Sequence, residues 1–255
     1  MHSGLTVILR SGCLIPLIAW VPASAWTQQS AAYTRGVSLL EQDKYAEALD
    51  ALNQAIAENP KSSEAYRQRA RCRTRLEDLK GALADYDKAI DLDPRNAAAW
   101  SSRSALKRRL ADPEGAWADV ANALQIAPGH AGAYNNRGLL RVDRGDYKGA
   151  IEDYDRSVRL DPRQGLAFGN RGIAKERLND PQGTMADYTQ AIANDPSDVN
   201  AWSNRGILKR RLKDLAGARS DLDRAVAIAP GTRSRTAGSG SCITTWATPS
   251  SRSRS

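Results

Sequence analysis

Apolar and polar residues between positions 29 and 232 follow a helical spacing, in short segments that come in pairs. In the second segment of a pair, apolar residues recur three or four positions apart, as at Ala82, Tyr86 and Ile90, which is the spacing of one face of an amphipathic helix. A turn signal such as Gly145-Asp146 separates the two segments, and a proline such as Pro162 ends the second. The pattern therefore predicts a series of helical hairpins.

These hairpins recur with a fixed period of 34 residues. The stretches AYNNRGLL, AFGNRGIA and AWSNRGIL begin at Ala133, Ala167 and Ala201, one period apart. The six predicted units are 29–62, 63–96, 97–130, 131–164, 165–198 and 199–232. Because one hairpin cannot bury its apolar face alone, neighbouring units must stack, and the period predicts an all-α solenoid.

Each unit resembles the tetratricopeptide repeat, in which an aromatic residue, small residues, an alanine, a second aromatic and a proline follow at fixed spacing. The matching aromatic and small residues of the first helices are Tyr66, Trp100, Tyr134, Phe168, Trp202, Gly36, Gly138, Gly172 and Gly206. The matching residues of the second helices are Ala48, Ala82, Ala116, Ala150, Ala218, Tyr86, Tyr154 and Tyr188. The resemblance spans about four fifths of the chain and implies a right-handed α-solenoid of six 34-residue helix-turn-helix repeats.

Three departures distinguish the chain from that family pattern. Thr184 replaces the signature alanine of the fifth unit, and an arginine stands in every unit where the family usually has leucine. A basic residue also replaces the usual tyrosine, at Arg73, Lys107, Arg141, Lys175 and Lys209.

The arginine of each first helix is followed sixteen residues later by an aspartate in five of the six units. The two positions should face each other across an antiparallel hairpin, which predicts a ladder of ion pairs inside the repeats. The predicted pairs are Arg69–Asp85, Arg103–Asp119, Arg137–Asp153, Arg171–Asp187 and Arg205–Asp221. In the first unit Ala51 replaces the aspartate and leaves Arg35 for other contacts. The alternative is a scatter of solvated charges.

Positive charge is concentrated in the first helices. First-helix segments hold 21 basic and 6 acidic residues, whereas the other parts of the repeats hold 11 and 23. The resemblance implies that first helices line a concave face where such proteins bind extended peptides. Since arginine pairs bidentately with carboxylates, this face is predicted to bind an acidic peptide or a carboxylate. The predicted groove residues are Arg67, Arg71, Arg75, Arg108, Arg109, Arg177, Arg210 and Arg211. The alternative is ordinary surface solubilisation, with pairing to neighbouring acids.

The two ends of the chain differ from the repeats in composition. Residues 1–25 have a basic start, an apolar stretch and the sequence Ala23-Ser24-Ala25, which is typical of a cleaved secretory signal peptide. The alternative is an uncleaved membrane anchor, which would place Arg10 in the apolar segment. Residues 233–255 are rich in serine and arginine and predict a disordered tail, unless a shifted reading frame produced them. The last repeat then lacks a polar capping helix, so Leu222, Val226 and Ile228 have no predicted cover.

Few residues in the chain could support catalysis or metal binding. After removal of the signal, the cysteines are Cys72 in a first helix and Cys242 in the tail, and His130 is the only histidine. A histidine-based triad or a zinc site lacks its parts, so the sequence predicts no enzyme, no metal site and no cofactor. Cys72 is interpreted as a small core residue.

The sequence therefore predicts an exported, periplasmic or secreted, non-catalytic scaffold that binds another protein or peptide of acidic character. A nucleic-acid partner is disfavoured because the repeats hold 32 basic and 29 acidic residues, almost in balance. One alternative is self-association through the uncapped last repeat of an otherwise monomeric chain. Another is binding of an anionic polymer or lipid surface. The family's clamp for heat-shock proteins is not expected, because its positions hold Tyr33 and Val37.

Overall fold

The computed structural model describes residues 30–229, which form twelve α-helices. The helices are α1 (Ala31–Glu41), α2 (Tyr45–Glu58), α3 (Ser63–Arg75), α4 (Leu79–Leu92), α5 (Ala97–Arg109), α6 (Pro113–Ile126), α7 (Ala131–Asp143), α8 (Tyr147–Leu160), α9 (Gly165–Arg177), α10 (Pro181–Asn194), α11 (Val199–Arg211) and α12 (Leu215–Ile228). The predicted signal peptide, the tail and Cys242 lie outside the described residues. Within residues 30–229, no helix is long and apolar enough to span a bilayer.

Consecutive helices pair into six hairpins, and each second helix packs on the first helix of the next hairpin. First helices also touch one another between repeats, α1 with α3, α3 with α5, α5 with α7 and α7 with α9. Second helices of neighbouring repeats make no comparable contacts among residues 30–229. The array therefore converges on the side of the first helices, which form its concave face. The predicted all-α solenoid is confirmed.

Each hairpin turns through one residue in the left-handed conformation, at the same position of every repeat. The φ angles lie between 57° and 78°, at Asp43, Glu77, Ala111, Gly145, Asn179 and Lys213. Directly after the turn, an aspartate accepts a hydrogen bond from the backbone N–H three residues later, at 2.9 Å in five repeats. These aspartates cap the second helices and satisfy a donor that the helix itself cannot pair.

The two helices of a hairpin come closest where the first helix carries a glycine. A Cβ atom added to Gly138 would lie 2.6 Å from Cε1 of Tyr154, whose side chain is fully buried. Gly172 is opposed in the same way by Tyr188, at 2.7 Å. The glycine makes room for an aromatic ring, and the ring fills the space between the helices.

Cys72 belongs to the core between the first two repeats and is fully buried. Its Sγ lies 2.9 Å from the carbonyl oxygen of Tyr45. Burial raises the pKa of the Cys72 thiol to about 11, so the thiol stays protonated and unreactive at neutral pH.

Candidate functional site

The arginine of each first helix, from the second repeat onward, forms a bidentate pair with a buried aspartate of its own hairpin. In the third repeat, Nε and Nη2 of Arg103 donate to the two carboxylate oxygens of Asp119 at 2.7 and 2.8 Å. Asp119 is only 2 % exposed. The same arrangement holds Arg69 to Asp85, Arg137 to Asp153, Arg171 to Asp187 and Arg205 to Asp221.

A second cation reaches each of these aspartates from one helical turn further along the first helix. Nζ of Lys107 lies 3.1 Å from Oδ2 of Asp119. The corresponding partners in the other repeats are Arg73, Arg141, Lys175 and Lys209. These are the residues that replace the usual tyrosine of the repeat pattern. The replacement therefore has a structural role, since a buried carboxylate gains a second positive neighbour.

The electrostatic balance of this arrangement is clearest in the last hairpin. Burial alone would raise the pKa of the Asp221 carboxyl, but hydrogen bonds from Arg205 and Lys209 outweigh it and hold that pKa below its usual value. The carboxylate is therefore ionised at neutral pH, and its contribution to stability is lost only when the pH falls below the usual range of an aspartate.

Four of the five arginines also connect neighbouring repeats through their remaining nitrogen. Nη1 of Arg103 donates to Oδ1 of Asp87 in the preceding second helix, at 2.6 Å. The equivalent acceptors are Asn53 for Arg69, Asp155 for Arg171 and Thr189 for Arg205. Below each of the five guanidinium groups lies the aromatic ring of the residue three positions earlier, with 4.7–5.3 Å between its centroid and Cζ. One side chain thus ties its hairpin together and to the hairpin before it.

The predicted groove arginines do not form one unpaired set. Four of the eight pair with acids: Arg67 with Glu64, Arg108 with Asp143, Arg109 with Glu77 and Arg211 with Glu176. Two of those pairs, Arg108–Asp143 and Arg211–Glu176, join first helices of neighbouring repeats, 35 residues apart. Arg109 joins α5 to Glu77 in the turn after α3, 32 residues earlier. These arginines help to set the spacing of the first helices.

The other four predicted groove arginines form no ion pair among the described residues. Arg71 donates to Oε1 of Gln68 at 2.6 Å, and Cζ of Arg75 lies 5.9 Å from the ring centroid of Tyr45. Both are exposed and line a polar cavity of about 140 Å³ between the first two repeats. Its other lining residues are Leu40, Asp43, Tyr45, Thr74 and Tyr86. Arg177 and Arg210 are exposed at the ends of α9 and α11.

A second cavity, of about 820 Å³, lies between α10 and the turn that follows α11. Its lining is Pro181, Gln182, Met185, Ala186, Thr189, Gln190 and Leu212. It holds no charged side chain and therefore offers no anchor for a carboxylate.

Residues with catalytic or metal-binding chemistry are not gathered in one place. In the part of the chain that the structure describes, no group of three or more His, Cys, Asp or Glu side chains could hold a metal ion. His130 caps α7 by accepting the backbone N–H of Ala133 at Nδ1. Burial lowers the pKa of His130, so its ring is neutral in this role.

Two buried tyrosines in equivalent positions differ in how their hydroxyl groups are satisfied. The hydroxyl of Tyr188 donates to Oε2 of Glu176 at 2.9 Å. The hydroxyl of Tyr154 has no hydrogen-bond partner among the described residues, because Val142 stands where the next repeat has Glu176. We expect Tyr188→Phe to lower the free energy of unfolding by about 1 kcal/mol, and Tyr154→Phe to leave it unchanged or to raise it.

Urea unfolding of the two variants, followed by circular dichroism, measures this difference in matched surroundings. Equal losses would contradict the assignment of an unsatisfied hydroxyl to Tyr154.

Comparisons with known proteins decide the family. One family model, described as tetratricopeptide repeat, matches residues 33–97 and 170–232. A second model with the same description matches residues 131–164, and together the two cover more than half of the chain. The chain belongs to the tetratricopeptide repeat family. Members of this family serve as protein-interaction scaffolds. A search of curated protein sequences finds no significant match.

Solved structures of tetratricopeptide repeat proteins share this fold at low sequence identity. PilF of Pseudomonas aeruginosa is 20 % identical with a TM-score of 0.64, over 79 % of this chain and 92 % of that one. A thermophilic tetratricopeptide repeat protein of Thermus thermophilus is 19 % identical with a TM-score of 0.64, over 71 % and 98 %. The APC/C hetero-tetramer Cut9-Hcn1 gives a TM-score of 0.71 at 16 % identity, and this chain spans only 40 % of that chain. At such identities the likeness concerns the fold alone.

Proposed function

We propose that this tetratricopeptide repeat protein is a non-catalytic scaffold that binds an extended, acidic peptide segment of another protein along its first helices. The observation that carries the proposal is the pair Arg71 and Arg75. Both are exposed, neither is paired with an acid among residues 30–229, and both line the same polar cavity. A carboxylate side chain fits the size of that cavity, and arginine binds carboxylates through two parallel hydrogen bonds.

The unpaired arginines mark out the direction that the partner would take. Arg71 and Arg75 lie on α3, Arg177 on α9 and Arg210 on α11. Between them, the paired side chains of Arg108 and Asp143 leave a neutral section. A partner that spans the array therefore needs acidic residues at its two ends rather than along its whole length.

The proposal includes export of the protein. Residues 1–25 have the charge, the apolar stretch and the cleavage sequence of a secretory signal. The acidic partner is then a periplasmic, secreted or surface protein.

The test is the affinity for a fluorescent glutamate-rich peptide, measured by anisotropy. The variant R71E/R75E should bind on the order of a hundredfold more weakly, because each arginine contributes a hydrogen bond to a charged group. The matched control K148E/R156E changes the net charge equally, through two exposed residues of α8.

Two outcomes would count against the proposal. Equal losses in both variants would mean that only the overall charge attracts the peptide. Tighter binding to a polynucleotide or to anionic vesicles, with an affinity that falls steeply with salt, would support the alternative of an anionic polymer or lipid surface.

A further inference from the structure

The outer face of α12 exposes apolar residues that the next repeat covers in every other hairpin. Val226 is 47 % exposed, whereas the equivalent Ile90 and Ile192 are 6 and 7 % exposed. Leu222 is half-buried, whereas the equivalent Tyr154 and Tyr188 are fully buried. Leu215, at the start of the same helix, is 68 % exposed. The last hairpin therefore presents a surface that is built for packing against another helix.

The same face carries a carboxylate at a position that elsewhere accepts a guanidinium. In four earlier second helices this position holds Asn53, Asp87, Asp155 and Thr189, each of which accepts Nη1 of the arginine that follows in the next repeat. In α12 it holds Asp223, whose side chain is 73 % exposed and whose ion-pair partner among the described residues is Arg219, at 3.6 Å. The carboxylate of Asp223 is thus placed to accept a hydrogen bond from an arginine of another molecule.

Arg219 is a charged residue on the same face, where the other repeats have an apolar one. Its side chain is 86 % exposed, at a position where the other five repeats have a partly buried apolar residue. Those residues are Leu49, Leu83, Trp117, Ile151 and Met185. The outer face of α12 therefore carries one exposed donor and one exposed acceptor within an apolar stripe.

We propose that this face binds the same face of a second copy, with the two α12 helices antiparallel about a two-fold axis near Leu222. Leu215 and Arg219 lie seven and three residues before Leu222. Val226 lies four residues after it, so all four fall on one helical stripe. In the antiparallel pair, Leu222 meets the partner's Leu222, and Arg219 lies beside the partner's Asp223. The face is thus complementary to itself in charge.

The other end of the array does not fit this face. In the first helices of the other repeats, the position that packs on the preceding hairpin holds Cys72, Leu106, Leu140, Ala174 or Leu208, all at most 2 % exposed. In α1 that position is Ser38, which is exposed, as is Gln42. Head-to-tail stacking would bury these polar groups against Leu222 without partners, so the second copy binds through α12 and not through α1.

The size of the α12 surface sets the expected affinity of the dimer. A 14-residue helix is about 21 Å long, and one pair of such helices buries less than the roughly 800 Å² per partner of a standard interface. We therefore expect a reversible dimer that forms in the micromolar range. This inference is independent of the groove and of its acidic partner.

Sedimentation equilibrium of the full-length chain, from micromolar to submillimolar concentration, tests the proposal with complementary charge reversals. R219D places two carboxylates at each contact and D223R places two guanidinium groups there, so each variant alone should dimerise on the order of tenfold more weakly. An equimolar mixture of the two should regain the dimer, because both contacts are then attractive. V226D should abolish it, with an unchanged circular dichroism spectrum.

Each other outcome overturns the proposal. A wild-type chain that stays monomeric at all concentrations would mean that the face is covered or solvated. A dimer that is indifferent to R219D uses another surface. Open-ended assembly that responds to D223R and to Arg35→Glu, but not to R219D, would establish head-to-tail stacking instead.

Discussion

Replacing Asp119 with alanine is expected to lower the free energy of unfolding by about 3 to 5 kcal/mol, because it leaves two buried cations without their common partner. Asp119 is almost fully buried between α5 and α6. Arg103 and Lys107 both direct their charge at it, and their side chains are only 13 and 20 % exposed. Arg103 keeps Asp87 in the preceding repeat, but Lys107 has no other acid among the described residues.

Chemical unfolding in urea measures the loss, with Glu114→Ala as the control. Glu114 is an exposed acid in the first turn of the same helix, and its removal should change the stability by no more than about 0.5 kcal/mol. A loss below 1 kcal/mol for Asp119→Ala, or equal losses for both variants, would show that the ladder does not stabilise the fold.

The second large effect is expected at the close approach of the two helices in the fourth hairpin. Gly138→Leu should destabilise the protein by about 3 kcal/mol, because the added carbons meet a buried aromatic ring that has nowhere to move. The first of those carbons alone would lie within 3 Å of three ring atoms of Tyr154.

The control for this substitution is Gly129→Leu. Gly129 lies in the turn before α7, and a Cβ atom there would meet nothing within 4 Å. Urea unfolding should therefore give a midpoint near that of the wild type for Gly129→Leu and a much lower one for Gly138→Leu. A smaller effect is expected for Gly138→Ala, because repeat two already carries Ala70 opposite Tyr86. Similar midpoints for the two leucine variants would refute the steric argument.

The hairpins and their stacking follow from the sequence because the 34-residue period repeats both the helical spacing and the turn. The contact between Arg103 and Asp119 likewise depends only on the geometry of one antiparallel hairpin. The bond from Arg103 to Asp87 depends in addition on how two hairpins pack, which spacing within one unit does not reveal. A signal for it was nevertheless present, since an acceptor occupies that position in most repeats.

The pairing of the groove arginines is harder to derive from sequence. Arg108 bonds to Asp143, and Arg211 bonds to Glu176, across neighbouring first helices. Both contacts depend on the rotamers of long side chains at exposed or half-buried positions. The sequence places these arginines on the first helices, and their binding role stays a prediction. It did not separate the arginines that hold the array together from those available to a partner.

The left-handed residue of each hairpin turn has a consequence for how this sequence can evolve. Aspartate, glutamate, alanine, glycine, asparagine and lysine all occupy that position, so the turn imposes little on the residue type although its conformation is unfavourable for most of them. The shape of the hairpin is instead dictated by the small residue at the close approach, the buried aspartate and its cations. Exposed first-helix residues that form no ion pair among the described residues, such as Arg71 and Arg75, lie outside this framework, so they can be replaced in one repeat without altering the hairpin.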